Sequence, residues 1–267
     1  MASQARGLAL WQLPLETIAK LKRLLKLFEE GGGLVIVAFS GGVDSSLVTA
    51  VAATVLGPSN VYAVTAASPL YPHSELEQAK RIAKLLGVNH VVVNSSELDD
   101  ERFAANPPNR CYYCKKNLSR ELKEVAHRVG AKVIVDGTNH DDLKGHRPGY
   151  LATREEGIQS PLAEVGLTKG EVRMLARLLG LPNWDKPPMA CLASRIPYGE
   201  RITRERLARI ERAEEIVRAL TGVKQLRVRD HGVIARIEVG REERRLFFSE
   251  KVMDAIAKEL RALAGRM

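Results

Sequence analysis

Residues 34–39 (LVIVAF) are apolar without interruption and run straight into Ser40-Gly41-Gly42-Val43-Asp44-Ser45-Ser46, after which the pattern becomes helical. A short β-branched run of this kind reads as a strand buried on both faces of a parallel sheet. The glycines therefore fall in a strand-to-helix turn. There, positive φ lets backbone N–H groups approach a ligand, and the helix behind them offers its positive end to phosphate. Ser40, Ser45 and Ser46 add hydroxyl donors. No lysine comes after the glycines and no third glycine completes GxGxxG, so neither the Walker loop nor the dinucleotide fingerprint applies. The plainer alternative is a glycine-rich turn capped by serine.

The rest of the chain repeats the strand–helix alternation. Residues 14–30 place Leu15, Ile18, Leu21, Leu24, Leu25 and Phe28 on one helical stripe that Gly31-Gly32-Gly33 ends. Helices are then expected over 44–56, 73–86 and 113–129, and strands over 61–66, 90–93 and 132–135. Alternation of this kind predicts an α/β fold, a doubly wound parallel sheet with ligands at the carboxyl ends of its strands. Those ends lead into SGGVDSS, residues 67–70 (ASPL), 94–96 (NSS) and 136–142 (DGTNHDD). The last is dense in acidic and amide groups, including Asn139 and Asp142, which suit a magnesium–ATP site; a polar capped loop is the alternative. Thr168 and Glu171 form a capping box for a helix running to residue 179. An irregular stretch, 181–199, contains four prolines and Cys191 and reads as a functional loop or a linker. Beyond it come a charged helix over 203–220, strands over 223–229 and 233–239 around Asp230-His231-Gly232, and a helix over 250–264. The expected division is a nucleotide-binding domain, 1–197, and a small α+β domain, 198–267, serving substrate binding or oligomerisation.

No apolar run approaches the roughly 18 residues of a spanning helix, so no membrane segment and a cytoplasmic location are expected. Residues 198–267 carry 17 basic and 12 acidic side chains, mostly arginine, within a chain of net charge +9. That excess implies an anionic partner, and arginine's planar fork suits phosphate or carboxylate. Arg227 and Arg229 alternate on one strand and share a face. Three cysteines argue against a disulfide framework. Cys111 and Cys114 form a CxxC at a helix start beside Tyr112 and Lys116, where helix N-termini and nearby cations lower a thiol pKa. With Cys191, the readings are a redox dithiol, a zinc site, a three-ligand iron–sulfur cluster or inert thiols.

The loop SGGVDSS resembles the PP-loop of the ATP-pyrophosphatase superfamily, whose pattern SGGxDS it matches at every fixed position. With RCYYCKK, DGTNHDD, SPLAEVGLTK, CLASRIPYGERIT and LRVRDHG, the chain is similar almost throughout to the LarE-type ATP-dependent sulfur transferases of nickel-pincer nucleotide biosynthesis. The resemblance implies an adenine nucleotide alpha hydrolase-like domain that binds ATP and Mg²⁺ through Ser40, Gly41, Gly42, Asp44, Ser45, Ser46, Asn139 and Asp142. It also implies adenylylation of the carboxylates of pyridinium-3,5-biscarboxylic acid mononucleotide and exchange of oxygen for sulfur. Cys111, Cys114 and Cys191 would hold a 4Fe-4S cluster that binds sulfide or another sulfur donor. Alternatively, Cys191 would give up its own sulfur. Arg195, Arg227 and Arg229 are the implied phosphate binders, with Glu215, Lys116 and Tyr112 as further substrate candidates. A homo-oligomer is expected. The rival readings are a tRNA-thiolating PP-loop enzyme, an ammonia-using ligase resembling NAD synthetase, and a nucleotide sensor. The lack of paired CxxC ribbons counts against the first, so nucleic acid is not the expected partner. The three cysteines count against the second.

Overall fold

The computed structural model describes residues 13–95, 97–145 and 147–264, so Ser96 at the end of the third strand lies outside the described residues. The elements run in order α1 (Leu15–Gly31), β1 (Val35–Ala38), α2 (Val43–Leu56), β2 (Val61–Ala67), α3 (His73–Leu86), β3 (Asn89–Asn94), α4 (Glu101–Ala104) and α5 (Arg110–Val129). Then come β4 (Val133–Val135), α6 (Pro148–Glu155), α7 (Pro161–Glu164), α8 (Lys169–Leu178), α9 (Arg204–Thr221), β5 (Leu226–His231), β6 (Ile234–Val239) and α10 (Glu250–Ala264). The chain forms two compact units. The first takes in residues up to Ala67, His73–Ser95 and Cys111–Lys186; the second takes in Ser68–Pro72, the stretch ending at Arg110, and the chain from Pro187 on.

In the first unit the strands lie in the order β3-β2-β1-β4, all parallel. Side chains of a strand alternate between faces, and β1 shows why both faces must be covered. Val35 and Val37 join one core with Leu24 and Phe28 of α1, Leu47 and Val51 of α2 and Leu175 of α8. Ile36 joins a second core with Leu122, Val125 and Ala126 of α5. The chain leaves β1 toward β2 on one side, while β4 lies on the other. The carboxyl ends of β1 and β4 therefore frame the switch point at which doubly wound sheets bind ligands.

Most expected boundaries hold within a residue or two, and the departures have local causes. The helix expected from residue 113 begins at Arg110, which puts the whole CxxC within its first five residues. Leu15 of the expected stripe is 85% exposed, whereas Thr17 is buried, with its hydroxyl satisfied by donating to Glu171 Oε1 at 3.0 Å. Glu171 also closes the capping box with Thr168, so the start of α8 is tied to α1. In the hairpin, Asp230 and His231 belong to the strand rather than the turn. The turn is Gly232-Val233, with Gly232 at φ +70. The short helices α4, α6 and α7 cover too few turns to show an amphipathic period.

The second unit packs α9 and α10 with the antiparallel pair β5–β6 around Ala213, Val217, Val223, Leu226, Val228 and Ile256. Inside it, Glu214 is fully buried and accepts from the Val228 N–H (3.1 Å), from Arg195 Nε (2.8 Å) and from Arg218 Nη2 (2.9 Å). Asp230 is paired with Arg206 and Arg209, whose hydrogen bonds outweigh the burial that would raise its pKa and hold it below the usual carboxylate range. No helix among the described residues is long and apolar enough to cross a membrane. Removing one partner of a buried pair strands the other charge, at a cost of about 3–5 kcal/mol. Urea denaturation of Glu214→Ala should therefore show a loss of that order, while Glu215→Ala, on the exposed side of α9, should cost less than about 0.5 kcal/mol.

Candidate active site

At the end of β1, Gly41 adopts φ +69, and a Cβ there would stand 2.9 Å from the Ala79 Cα of α3. Glycine is required at that position on both counts. Gly42 is the N-cap of α2 and donates its N–H to the exposed Ser40 Oγ at 3.2 Å. Ser45 turns inward, its hydroxyl donating to the Gly42 carbonyl at 3.2 Å and accepting from the Ser40 N–H at 3.3 Å. Ser46 is fully buried. Ser40 and the Gly42 N–H thus face solvent at a helix N-terminus, and Ser45 and Ser46 shape the turn from within.

The segment after β4 closes on this loop. Gly137 lies so near that a Cβ on it would be 2.7 Å from the Ser45 nitrogen. Asp136, buried beneath, accepts from the Thr138 N–H (3.0 Å), the Thr138 hydroxyl (2.8 Å) and the Ser160 hydroxyl (2.8 Å), which fixes the backbone of the Gly137-Thr138 turn. Asn139 uses Oδ1 to accept from the N–H groups of Asp141 and Asp142, and uses Nδ2 to donate to Asp44 Oδ1 at 3.1 Å. Lys169 Nζ is ion-paired with the other oxygen of Asp44, and its N–H donates to Asp141 Oδ2 at 2.9 Å. Asp142 pairs with Arg147 at 3.2 Å. The expected residues Asp44, Asn139 and Asp142 therefore belong to one polar assembly at the switch point. Lys169 is a further member, which in sequence is hidden inside the capping-box run. A signal is present all the same: a lysine at the first position of a helix opposes the helix dipole, so it needs an anion elsewhere.

At the start of α5, Cys111 is exposed and Cys114 half-buried. Residues three apart on a helix are neighbours, so both thiols share one face. The first turn of α5 contains no acidic residue. Gly149 of α6 packs against it, since a Cβ on Gly149 would lie 3.4 Å from the Cys111 carbonyl oxygen. The Tyr112 hydroxyl donates to Glu155 at 2.6 Å, and Lys116 is ion-paired with Glu155 (2.7 Å) and Glu156 (2.6 Å). These contacts raise the Lys116 pKa and lower those of both glutamates; the Glu155 hydrogen bond likewise raises that of Tyr112. In the second unit, Cys191 caps the short turn Leu192–Arg195, and its carbonyl accepts from Arg195 Nη1 at 3.1 Å. None of the three cysteines is in a disulfide. Among the described residues, no group of three His, Cys, Asp or Glu side chains is arranged to hold a metal ion.

The arginines differ sharply in what they have left to offer. Arg195 is 1% exposed, and its guanidinium is engaged by Glu214 and by the carbonyls of Ala190 and Cys191. Arg229 is ion-paired with Glu238 at 2.7 Å and donates to the Ser194 carbonyl at 2.9 Å. Arg227 is half-buried on the same face of β5, and its guanidinium has no ion-pair or hydrogen-bond partner among the described residues. Glu215 is exposed and paired with Arg212 one turn away at 3.0 Å.

The family described as NAD synthase matches residues 18–202. The chain is 46% identical to an uncharacterized protein, slr1717, of Synechocystis sp., over 87% of this chain and 85% of that protein. It is 38% identical to the pyridinium-3,5-bisthiocarboxylic acid mononucleotide synthase of Lactiplantibacillus plantarum, over 87% of this chain and 83% of that protein. With the loop geometry at the β1/β4 switch point, these likenesses place the chain among ATP-using PP-loop enzymes, and it belongs to their LarE-type family.

Proposed function

We propose that the protein is an ATP-dependent sulfur transferase that converts the carboxylates of pyridinium-3,5-biscarboxylic acid mononucleotide to thiocarboxylates. The observation that carries this reading is the Gly42 N–H, Asp44, Asn139 and Lys169 assembly at the strand ends, joined to likeness with a synthase of the bisthiocarboxylic product. In the first half-reaction, a carboxylate oxygen of the substrate attacks the α-phosphorus of ATP, and pyrophosphate leaves with the electrons of the broken P–O bond. The outward N–H of Gly42 and the Ser40 hydroxyl hold the β,γ-phosphates, with Ser45 and Ser46 keeping the turn in shape and Gly41 allowing its close approach. Lys169 supplies positive charge where negative charge gathers on the leaving pyrophosphate. Asp44, with Asn139 and Asp142 beside it, offers the hard oxygen donors that Mg²⁺ prefers. In the second half-reaction, a sulfur nucleophile adds to the acyl carbon, and AMP leaves with the electrons of the C–O bond.

Cys111, Cys114 and Cys191 are the thiols proposed to hold a 4Fe-4S cluster, which would supply a site for sulfide when bound. The chemistry of the donor set fits: two thiols share the positive end of α5, without a carboxylate in its first turn. Arg227 is the foremost candidate for the phosphate of the mononucleotide, being the arginine on that strand face with its guanidinium uncommitted; Arg195 and Arg229 support the same segment. Glu215, Tyr112 and Lys116 are further contacts proposed for the substrate.

Lys169→Ala should lower kcat/KM for ATP by about 10²–10³-fold, measured as pyrophosphate release, because a preorganised charge aimed at the leaving group is lost. Gly137→Ala should impair the same step with little change in Cys111 alkylation, since its added Cβ displaces the Ser45 backbone and not α5. Protein purified without oxygen should be brown and contain about four irons per chain, with iron lost in each Cys→Ala variant. Colourless, iron-free protein whose Cys191 loses its sulfur on turnover contradicts the cluster and leaves the sacrificial route.

A further inference from the structure

Asn183 lies in the irregular stretch after α8, where no motif marks it, yet it is only 2% exposed and sits directly under the phosphate-binding turn. Its Nδ2 donates to the Gly41 carbonyl at 2.9 Å and to the Ser46 hydroxyl oxygen at 3.0 Å. Its Oδ1 is buried and has no donor among the described residues. Turning the amide over would set Oδ1 against the Gly41 carbonyl oxygen, two acceptors face to face, so the carbonyl dictates the amide's orientation.

The Gly41 carbonyl and the Gly42 N–H belong to one planar trans peptide, and in such a peptide they point to opposite sides. Drawing the carbonyl inward to Asn183 therefore turns the Gly42 N–H outward, where the exposed Ser40 hydroxyl accepts from it. A peptide between two glycines has no Cβ on either side to resist rotation. Ala79 limits where the backbone of Gly41 can lie, but which way the peptide faces is left to the hydrogen bond from Asn183.

We propose that Asn183 is a positioning residue for pyrophosphate: it holds the Gly41–Gly42 peptide with its N–H toward the anion, and so sets the affinity of the loop without touching the nucleotide. The inference rests on the ATP-binding reading of the loop and not on the sulfur chemistry. Asparagine does this from its Nδ2 side alone. An aspartate, which has no donor, would repel the Gly41 carbonyl and favour the rotated peptide, with its N–H inward and its carbonyl facing the phosphates.

The test uses the full chain, inorganic pyrophosphate titrated by calorimetry, and adenosine observed by ligand-detected NMR. Asn183→Ala should weaken pyrophosphate binding about tenfold, the equivalent of roughly 1.4 kcal/mol. Asn183→Asp, nearly the same in shape, should weaken it further, and adenosine binding should stay within about twofold of the parent protein in both. Pyrophosphate binding unchanged in both variants overturns the proposal, and so does an equal loss of adenosine and pyrophosphate binding, which marks general damage to the site. Failure of the unaltered protein to bind pyrophosphate removes the ATP reading of the loop, and this inference with it.

Discussion

The ion pair between Asp44 and Lys169 joins two segments that the sheet alone would leave independent. Asp44 stands in the first turn of α2, where a carboxylate is favoured by the helix dipole. Lys169 stands at the first position of α8, where an ammonium is disfavoured, so its placement is settled by the carboxylate opposite. Asn139 completes the junction from the β4 side. A loop after β1, a loop after β4 and the start of α8 are thereby held at one point, the carboxyl end of the parallel sheet, where helix N-termini and glycine backbone meet. Both α8 and α1 lean on Glu171, so the core beneath the site and the site itself share one anchoring helix.

The second unit is organised around a different buried pair, Arg195 with Glu214. Ion pairs at such depth are poor sources of net stability, because desolvation of both charges cancels much of their attraction. Here the guanidinium gathers the carbonyls of Ala190 and Cys191 along with the carboxylate from α9. The backbone around Cys191 is thus fixed by a residue only four positions along. Arg195, expected at a phosphate, also shapes the loop that carries a cysteine, and the strand face bearing Arg227 keeps an uncommitted cation.

Much of this is legible in the chain itself. Residues 34–39 mark a strand buried on both faces, and SGGVDSS marks the turn into α2, because apolar runs and glycine pairs act locally. The CxxC at the start of α5 is visible for the same reason. Long-range pairings are not. Lys169 meets Asp44 and Asn183 meets Gly41 across more than a hundred residues, and neither pairing leaves a periodic trace. Nor does a local pattern reveal that residues 68–72 join the unit formed by the C-terminal segment, since that depends on which surfaces pack after folding. The β5–β6 turn lies later than its residue types suggest because Asp230 is taken into the strand by Arg206 and Arg209, an attraction no turn propensity encodes.

The proposed reaction has a substrate carboxylate activated by attack on the α-phosphate at the β1/β4 switch point. It is tested most directly by supplying the mononucleotide with ¹⁸O in its carboxylates, together with ATP and sulfide, and reading the label in AMP by mass spectrometry. One ¹⁸O transferred to AMP for each sulfur introduced is the expected result, because the oxygen that attacks the α-phosphorus departs with it. Thiocarboxylate formed with no label in AMP, or label appearing in inorganic phosphate instead, would contradict the account.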